Sequence, residues 1–140
     1  MNKFSLLLLL LINPMFAQEV IEEQLTISVE MAVKKLEKTL LSKGLVIFTK
    51  IDHQKGAKEV KLEMKPSVIV IFGNPLVGTT LMNNNMAWSY ELPLKIAIYE
   101  DVLGQVWARS RELTKDINSP EVALKITSMN SLLKQLVQIK

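Results

Sequence analysis

His53 is the only histidine in these 140 residues. An imidazole titrates near neutral pH and is also a common metal ligand. Its place directly after Asp52, where a β-branched stretch ends, offers a general base or a metal ligand at a strand tip. The plainer alternative is a strand-end side chain bonded to its own turn. Direct neighbours on a strand point to opposite faces, so Asp52 orients His53 only if a turn intervenes. A second candidate is the run Gly73 to Thr80, spaced G-x-x-x-x-G-T-T after an apolar stretch. A phosphate loop shares that spacing but needs a lysine where Thr79 stands, which argues against nucleotide hydrolysis. What survives is Asn74, Gly78 and Thr79 around a helix N-terminus, where free backbone N–H groups can receive a carboxylate or phosphate. The alternative is a capped turn with no ligand. Glu100 and Asp101 are adjacent acids that would serve acid–base chemistry only if their side chains converged, and are otherwise solvated turn residues.

The elements that must position these residues follow from periodicity. Gln18 to Ile27 reads as a first edge strand. Ser28 is an N-cap for a helix whose stripe is Val29, Val33, Leu36 and Leu40, ended by Gly44. Leu45 to Ile51 reads as a strand, and Lys55 to Glu63 as a charged short helix or turn. Val68 to Phe72 is an apolar run of strand length. Asn74-Pro75 then suits an N-cap and a first helical position, opening a short helix over 76–83. Leu94 to Tyr99 and Gln105 to Arg109 form a hairpin with Gly104 at positive φ. Ser119-Pro120-Glu121 opens a last helix with the stripe Val122, Ile126, Met129, Leu133 and Leu136.

The order strand, helix, four strands, helix predicts an α+β two-layer sandwich. Its mostly antiparallel five-stranded sheet carries two long helices on one face and a short helical insertion. In topology this resembles the TATA-binding-protein-like arrangement, which says nothing about DNA. Leu124, Leu132, Val137 and Ile139 lie off the stripe of the last helix, so they either widen its contact with the sheet or form a self-association surface. Trp107 is expected in the core, and Trp88 and Tyr90 at a pocket mouth. Met64, Met82 and Met86 are expected to fill gaps.

Two blocks of sequence carry a resemblance. One is Ile51-Asp52-His53 followed by Ile69 through Met82, including Gly73-Asn74-Pro75 and Gly78-Thr79-Thr80. The other is Leu92-Pro93-Leu94-Lys95, Tyr99-Glu100-Asp101, Gly104 and Val106-Trp107. Over residues 45–109 the chain resembles the DUF302 family, named for a domain of unknown function. The resemblance implies a fold and leaves the activity open. It also raises the weight of His53 as a functional residue.

The N-terminus bears on compartment. Lys3, the apolar run Leu6 to Ile12, the break Asn13-Pro14 and the small residue Ala17 follow the order of a secretory signal peptide. A membrane-spanning helix needs about 20 apolar residues, more than this run supplies. The expectation is therefore residues 1–17 as a leader, residues 18–140 as one domain, a periplasmic or secreted location, and no stable membrane anchor. Without Lys3 the remaining chain has sixteen basic against fourteen acidic residues, a net charge of +2. That is too near neutral to imply nucleic acid. With no cysteine, disulfides, thiolate metal sites and thiol nucleophiles are excluded.

The leading expectation is a binding module holding a small ligand, a metal or haem at the rim of strand ends. Its candidate residues are Asp52, His53, Asn74, Gly78, Thr79 and Glu100, with His53 as the metal candidate. No particular cofactor is implied. The alternatives are a small-molecule hydrolase or isomerase with His53 as general base, or a homodimeric interaction domain.

Overall fold

The computed structural model describes residues 19–114 and 119–140, so the leader pattern of residues 1–17 lies outside the described residues. The strands are β1 (Val20–Leu25), β2 (Val46–Asp52), β3 (Ser67–Gly73), β4 (Leu94–Glu100) and β5 (Val106–Arg111). The helices are α1 (Val29–Ser42), α2 (His53–Glu59), α3 (Pro75–Asn84), α4 (Trp88–Glu91) and α5 (Pro120–Leu136). The strands form one sheet in the order β1-β5-β4-β3-β2, and all four pairings are antiparallel. Because β1 and β2 are opposite edges, α1 must cross the whole sheet between them.

Period-two alternation splits the central strands. Val70 and Phe72 of β3, and Leu94, Ile96 and Ile98 of β4, are buried with the helices, while Ile69, Ile71, Lys95, Ala97 and Tyr99 alternate with them on the open face. From α1 come Val29, Ala32, Val33, Leu36 and Leu40, and from α5 Val122, Ile126, Leu133 and Leu136. Each fully buried Leu or Ile here contributes up to about 1.5–3 kcal/mol. The buried Asn130 of α5 accepts from the Leu113 N–H at 2.8 Å and donates to the Leu113 carbonyl at 3.0 Å, tying α5 to the segment after β5.

Several expectations shift. Val137 is buried at 2% exposure, and Leu132 and Ile139 pack against the core, so the surplus of the last helix mostly widens its contact with the sheet. Only Leu124, at 70% exposure, stands clear. The aromatics exchange roles. Trp88 opens the short helix α4 and is buried, whereas Trp107 is half-buried on the open face, its Nε1 donating to Asp101 Oδ2 at 2.8 Å. Strand alternation explains the second case, since Ala108 takes the inward position beside it.

Candidate functional site

The six candidate residues do not share a rim. β3 is seven residues long and spans about 20 Å. Asn74, Gly78 and Thr79 follow its last residue. Asp52 pairs with Val68 near its start, and the Glu100 N–H bonds the Pro66 carbonyl just before it. Antiparallel pairing sends alternate strand ends to opposite ends of the sheet, and that corrects the single-rim grouping.

At the Gly73 end the two sequence blocks converge on one cavity of about 470 Å³. Gly73, Asn74 and Pro75 form its floor, and Val77, Gly78, Thr79 and Met82 of α3 form one wall. Leu92, Pro93 and Leu94 face them, and Leu45, Phe48, Met129 and Leu132 complete the lining. The Leu92–Pro93 peptide is cis. Among the described residues no charged side chain lines this space. Two glycines give it shape. A Cβ on Gly73 would sit 3.3 Å from the Phe48 ring, so bare backbone lets that ring fold over the floor. A Cβ on Gly78 would meet only Leu92 Cδ1 and Met82 Cε, both at 3.9 Å, so glycine there keeps the wall low. Phe48 reaches the cavity because β2 changes register against β3 between Ile47 and Thr49.

The expected free N–H groups at the start of α3 are already taken. Asn74 Oδ1 accepts from the Leu76 and Val77 N–H groups at 3.0 and 3.5 Å, and the Gly78 N–H bonds the Asn74 carbonyl at 2.9 Å. The anion cradle is therefore corrected to a capped helix start. What the cavity rim keeps is the Thr79 hydroxyl and the amide donors of Asn74. The α3–α4 segment that forms the wall is anchored by buried Leu81 and Trp88. The Trp88 indole N–H is buried without a hydrogen-bond partner.

At the other end, a turn does intervene after Asp52. Asp52 is the N-cap of α2, its Oδ1 accepting from the Lys55 N–H at 2.9 Å. His53 begins that helix and is exposed, and among the described residues no carboxylate or hydroxyl bonds it. Among the described residues no three His, Cys, Asp or Glu side chains converge, at His53 or elsewhere. Glu100 is engaged by Lys65 at 2.7 Å, which raises the lysine pKa. Asp101 turns inward, accepting from Trp107 Nε1, Leu103 N and Gln105 N at 2.8, 2.8 and 2.9 Å. The two acids diverge, so they form no acid–base pair. Tyr90 is 88% exposed and lines a different, more polar cavity beside Lys95, Arg109 and Arg111.

Sequence reasoning missed Phe48, Leu92, Pro93, Met129 and Leu132 as lining residues. Leu92-Pro93 stood in plain view within the second block, but Met129 was legible only as part of a core stripe.

The family model described as domain of unknown function DUF302 matches residues 21–138. A protein named fluoride-specific ion channel FluC 1, from Brucella suis biovar 1 (strain 1330), is 38% identical over 80 residues, which are 57% of this chain and 32% of that protein. One named fluoride-specific ion channel FluC 2, from Brucella melitensis biotype 1, is also 38% identical over 80 residues, 57% of this chain and 30% of its own length. This chain thus spans about a third of the curated relatives it matches. Among its described residues no helix is long and apolar enough to cross a membrane. The crystal structure of an uncharacterized conserved DUF302 protein from Bacillus stearothermophilus superposes with a TM-score of 0.74. It covers 86% of this chain and 97% of the other at 19% identity, which shows a shared fold.

Proposed function

The chain belongs to the DUF302 family, and we propose that its domain is a binding module for a small, mostly apolar organic molecule seated in the cavity at the Gly73 end. The observation that carries this reading is the convergence of both sequence blocks on one uncharged space of about 470 Å³. That size lies within the range of small-molecule sites, which are apolar with a few polar groups that fix orientation. Here those groups are the Thr79 hydroxyl and the Asn74 amide donors, suited to a hydroxyl or carbonyl at one end of the ligand. A bare anion would lose its hydration and find no free backbone donors in return. The fluoride chemistry in the names of the Brucella proteins therefore does not fit this cavity, and we assign it to the remainder of those longer chains. The lining is otherwise apolar, which favours an organic ligand over a bare metal ion. The leader pattern of residues 1–17 supports a periplasmic or secreted location for this module.

The test is displacement of a fluorescent apolar probe by medium-chain alcohols and ketones, with Gly78 as the control position. Gly78→Ala fits the space and should stabilise the fold by up to about 1 kcal/mol, because an interior helical glycine is replaced. Gly78→Leu should fill the cavity and abolish probe binding while the fold persists. Probe binding unchanged in Gly78→Leu, or absent from the unaltered chain, would refute this reading.

A further inference from the structure

The cavity at the Gly73 end has a neighbour. Val77, Met129 and Leu132 line it and also line a second space of about 310 Å³ between α3 and α5. The rest of that second lining is Leu124, Lys125 and Ser128 of α5. Leu124 is 70% exposed, and Leu76, next to Val77 at the start of α3, is 78% exposed, so the core uses neither. α3 carries no charged residue along its ten positions. Among the described residues Lys125 is the one charged residue of the two linings, and Glu121 holds its ammonium at 2.6 Å. Its methylene stem, rather than a free charge, is what the groove offers.

The hydroxyls are divided between the helices and the cavity. Those of Thr80 and Thr127 are committed to their own helices, donating to the Leu76 and Ala123 carbonyls at 2.8 and 2.9 Å. The Thr79 hydroxyl, in the cavity lining, makes no hydrogen bond among the described residues. Ser128 is exposed, so its hydroxyl stays hydrated. A bound molecule therefore finds a polar end at Thr79 and Asn74, and apolar surface from there past Met129 to Leu124.

Resting on the binding reading above, we propose that the ligand is a straight-chain lipid with one uncharged oxygen function, long enough to leave the cavity and lie along the α3–α5 groove. Its oxygen meets Thr79 and Asn74, and its chain passes Val77, Met129 and Leu132, which present apolar surface to both spaces. A compact ligand would fill the cavity and leave Leu124 in water, whereas a chain covers it. Met129 suits the junction, because an unbranched thioether side chain adapts its shape to what lies against it. The head is uncharged because a carboxylate would find no free cation in either lining. A methylene covered on one side by the groove should strengthen binding about twofold, where full burial gives about fourfold.

The experiment is displacement of a fluorescent apolar probe from the full chain by hexanol, decanol, dodecanol and cyclododecanol. Affinity should rise at each step from hexanol to dodecanol. Cyclododecanol, with the carbons of dodecanol closed into a ring, should bind at least about tenfold more weakly than the open chain. Leu124→Glu should lower dodecanol affinity at least about threefold and leave hexanol unchanged, because hexanol stays within the cavity. Leu124 is exposed, and unchanged hexanol binding verifies the fold of the variant. Affinity that levels off after hexanol, cyclododecanol binding as tightly as dodecanol, or an equal response of hexanol and dodecanol to Leu124→Glu would overturn the chain ligand and leave the cavity reading standing. Failure of both the probe and hexanol to bind the unaltered chain would refute the cavity reading, and this inference with it.

Discussion

The two ends of the sheet begin their helices with the same chemistry and build opposite things from it. At one end Asn74 caps α3; at the other Asp52 caps α2. α3 buries Leu81, continues into the buried Trp88, and forms the wall of an uncharged cavity. α2 buries no residue and leaves a rim of lysines and projecting apolar side chains. A cap decides where a helix starts, whereas packing decides whether the helix belongs to the cooperative unit. The concave end is therefore where the proposed ligand would sit, whereas the other end starts a helix that packs against nothing buried.

The hardest blow to this contrast falls on Trp88. Trp88→Ala should cost about 3–5 kcal/mol in denaturant unfolding, because it empties the anchor of the cavity wall. Probe binding should weaken with it, while the hairpin bond between Trp107 and Asp101 stays intact. Trp88→Phe should recover most of the loss, since the unpartnered indole donor leaves with the ring. A cost for Trp88→Ala below about 1 kcal/mol would mean that the wall is not held from within.

A finer comparison removes the two caps. Asn74→Ala should lower global stability by about 1 kcal/mol. Asp52→Ala should lower it by less than about 0.5 kcal/mol, because an unpacked helix can melt alone. Hydrogen exchange separates the outcomes: Asn74→Ala should speed exchange across the core, and Asp52→Ala only in residues 53–59. Equal global losses would erase the distinction between the ends.

The smallest expected effect is one of pH. The Trp107 indole N–H, then the Gln105 N–H, with smaller help from Leu103 and Gly104, hold the Asp101 carboxyl below its ordinary value of 3.8. With the folded value below the unfolded one, this contribution is complete above about pH 4 and is lost on further acidification through the folded value. Asp101→Asn should flatten the acid limb of stability, measured as the denaturation midpoint at about pH 7 and about pH 3. Probe binding at the other end should be level over the upper part of that window, because among the described residues no titratable group lines the cavity. An acid limb unchanged in the variant would show that the hairpin tip is held by other means.

Much of the fold was legible in the residues themselves. Ser28, Asn74 and Ser119 cap helices where the sequence places them, and Gly104 takes its positive φ. The stripe from Val29 to Leu40 packs as its spacing demands. These features depend on contacts within a few residues, which a linear pattern records. The candidate site was half legible. The Gly73 to Thr79 run and Leu92-Pro93-Leu94 do meet, but Asp52, His53 and Glu100 lie at the far end.

By itself, the sequence determined the order of the strands and of the two long helices, the caps at Ser28, Asn74 and Ser119, the antiparallel sandwich and the residue words that mark the family, because each is written in local spacing or in composition. The tertiary structure alone decided which strand ends are neighbours, through a strand order that runs β1-β5-β4-β3-β2. It decided that Trp88 turns inward from a short helix, while Trp107 faces outward because Ala108 takes the inward position of β5. It also turned Gly78 from a turn glycine into the low point of a cavity wall. Those outcomes depend on atoms brought together from distant parts of the chain, where volume and hydrogen-bond supply choose among side chains that the local pattern treats alike.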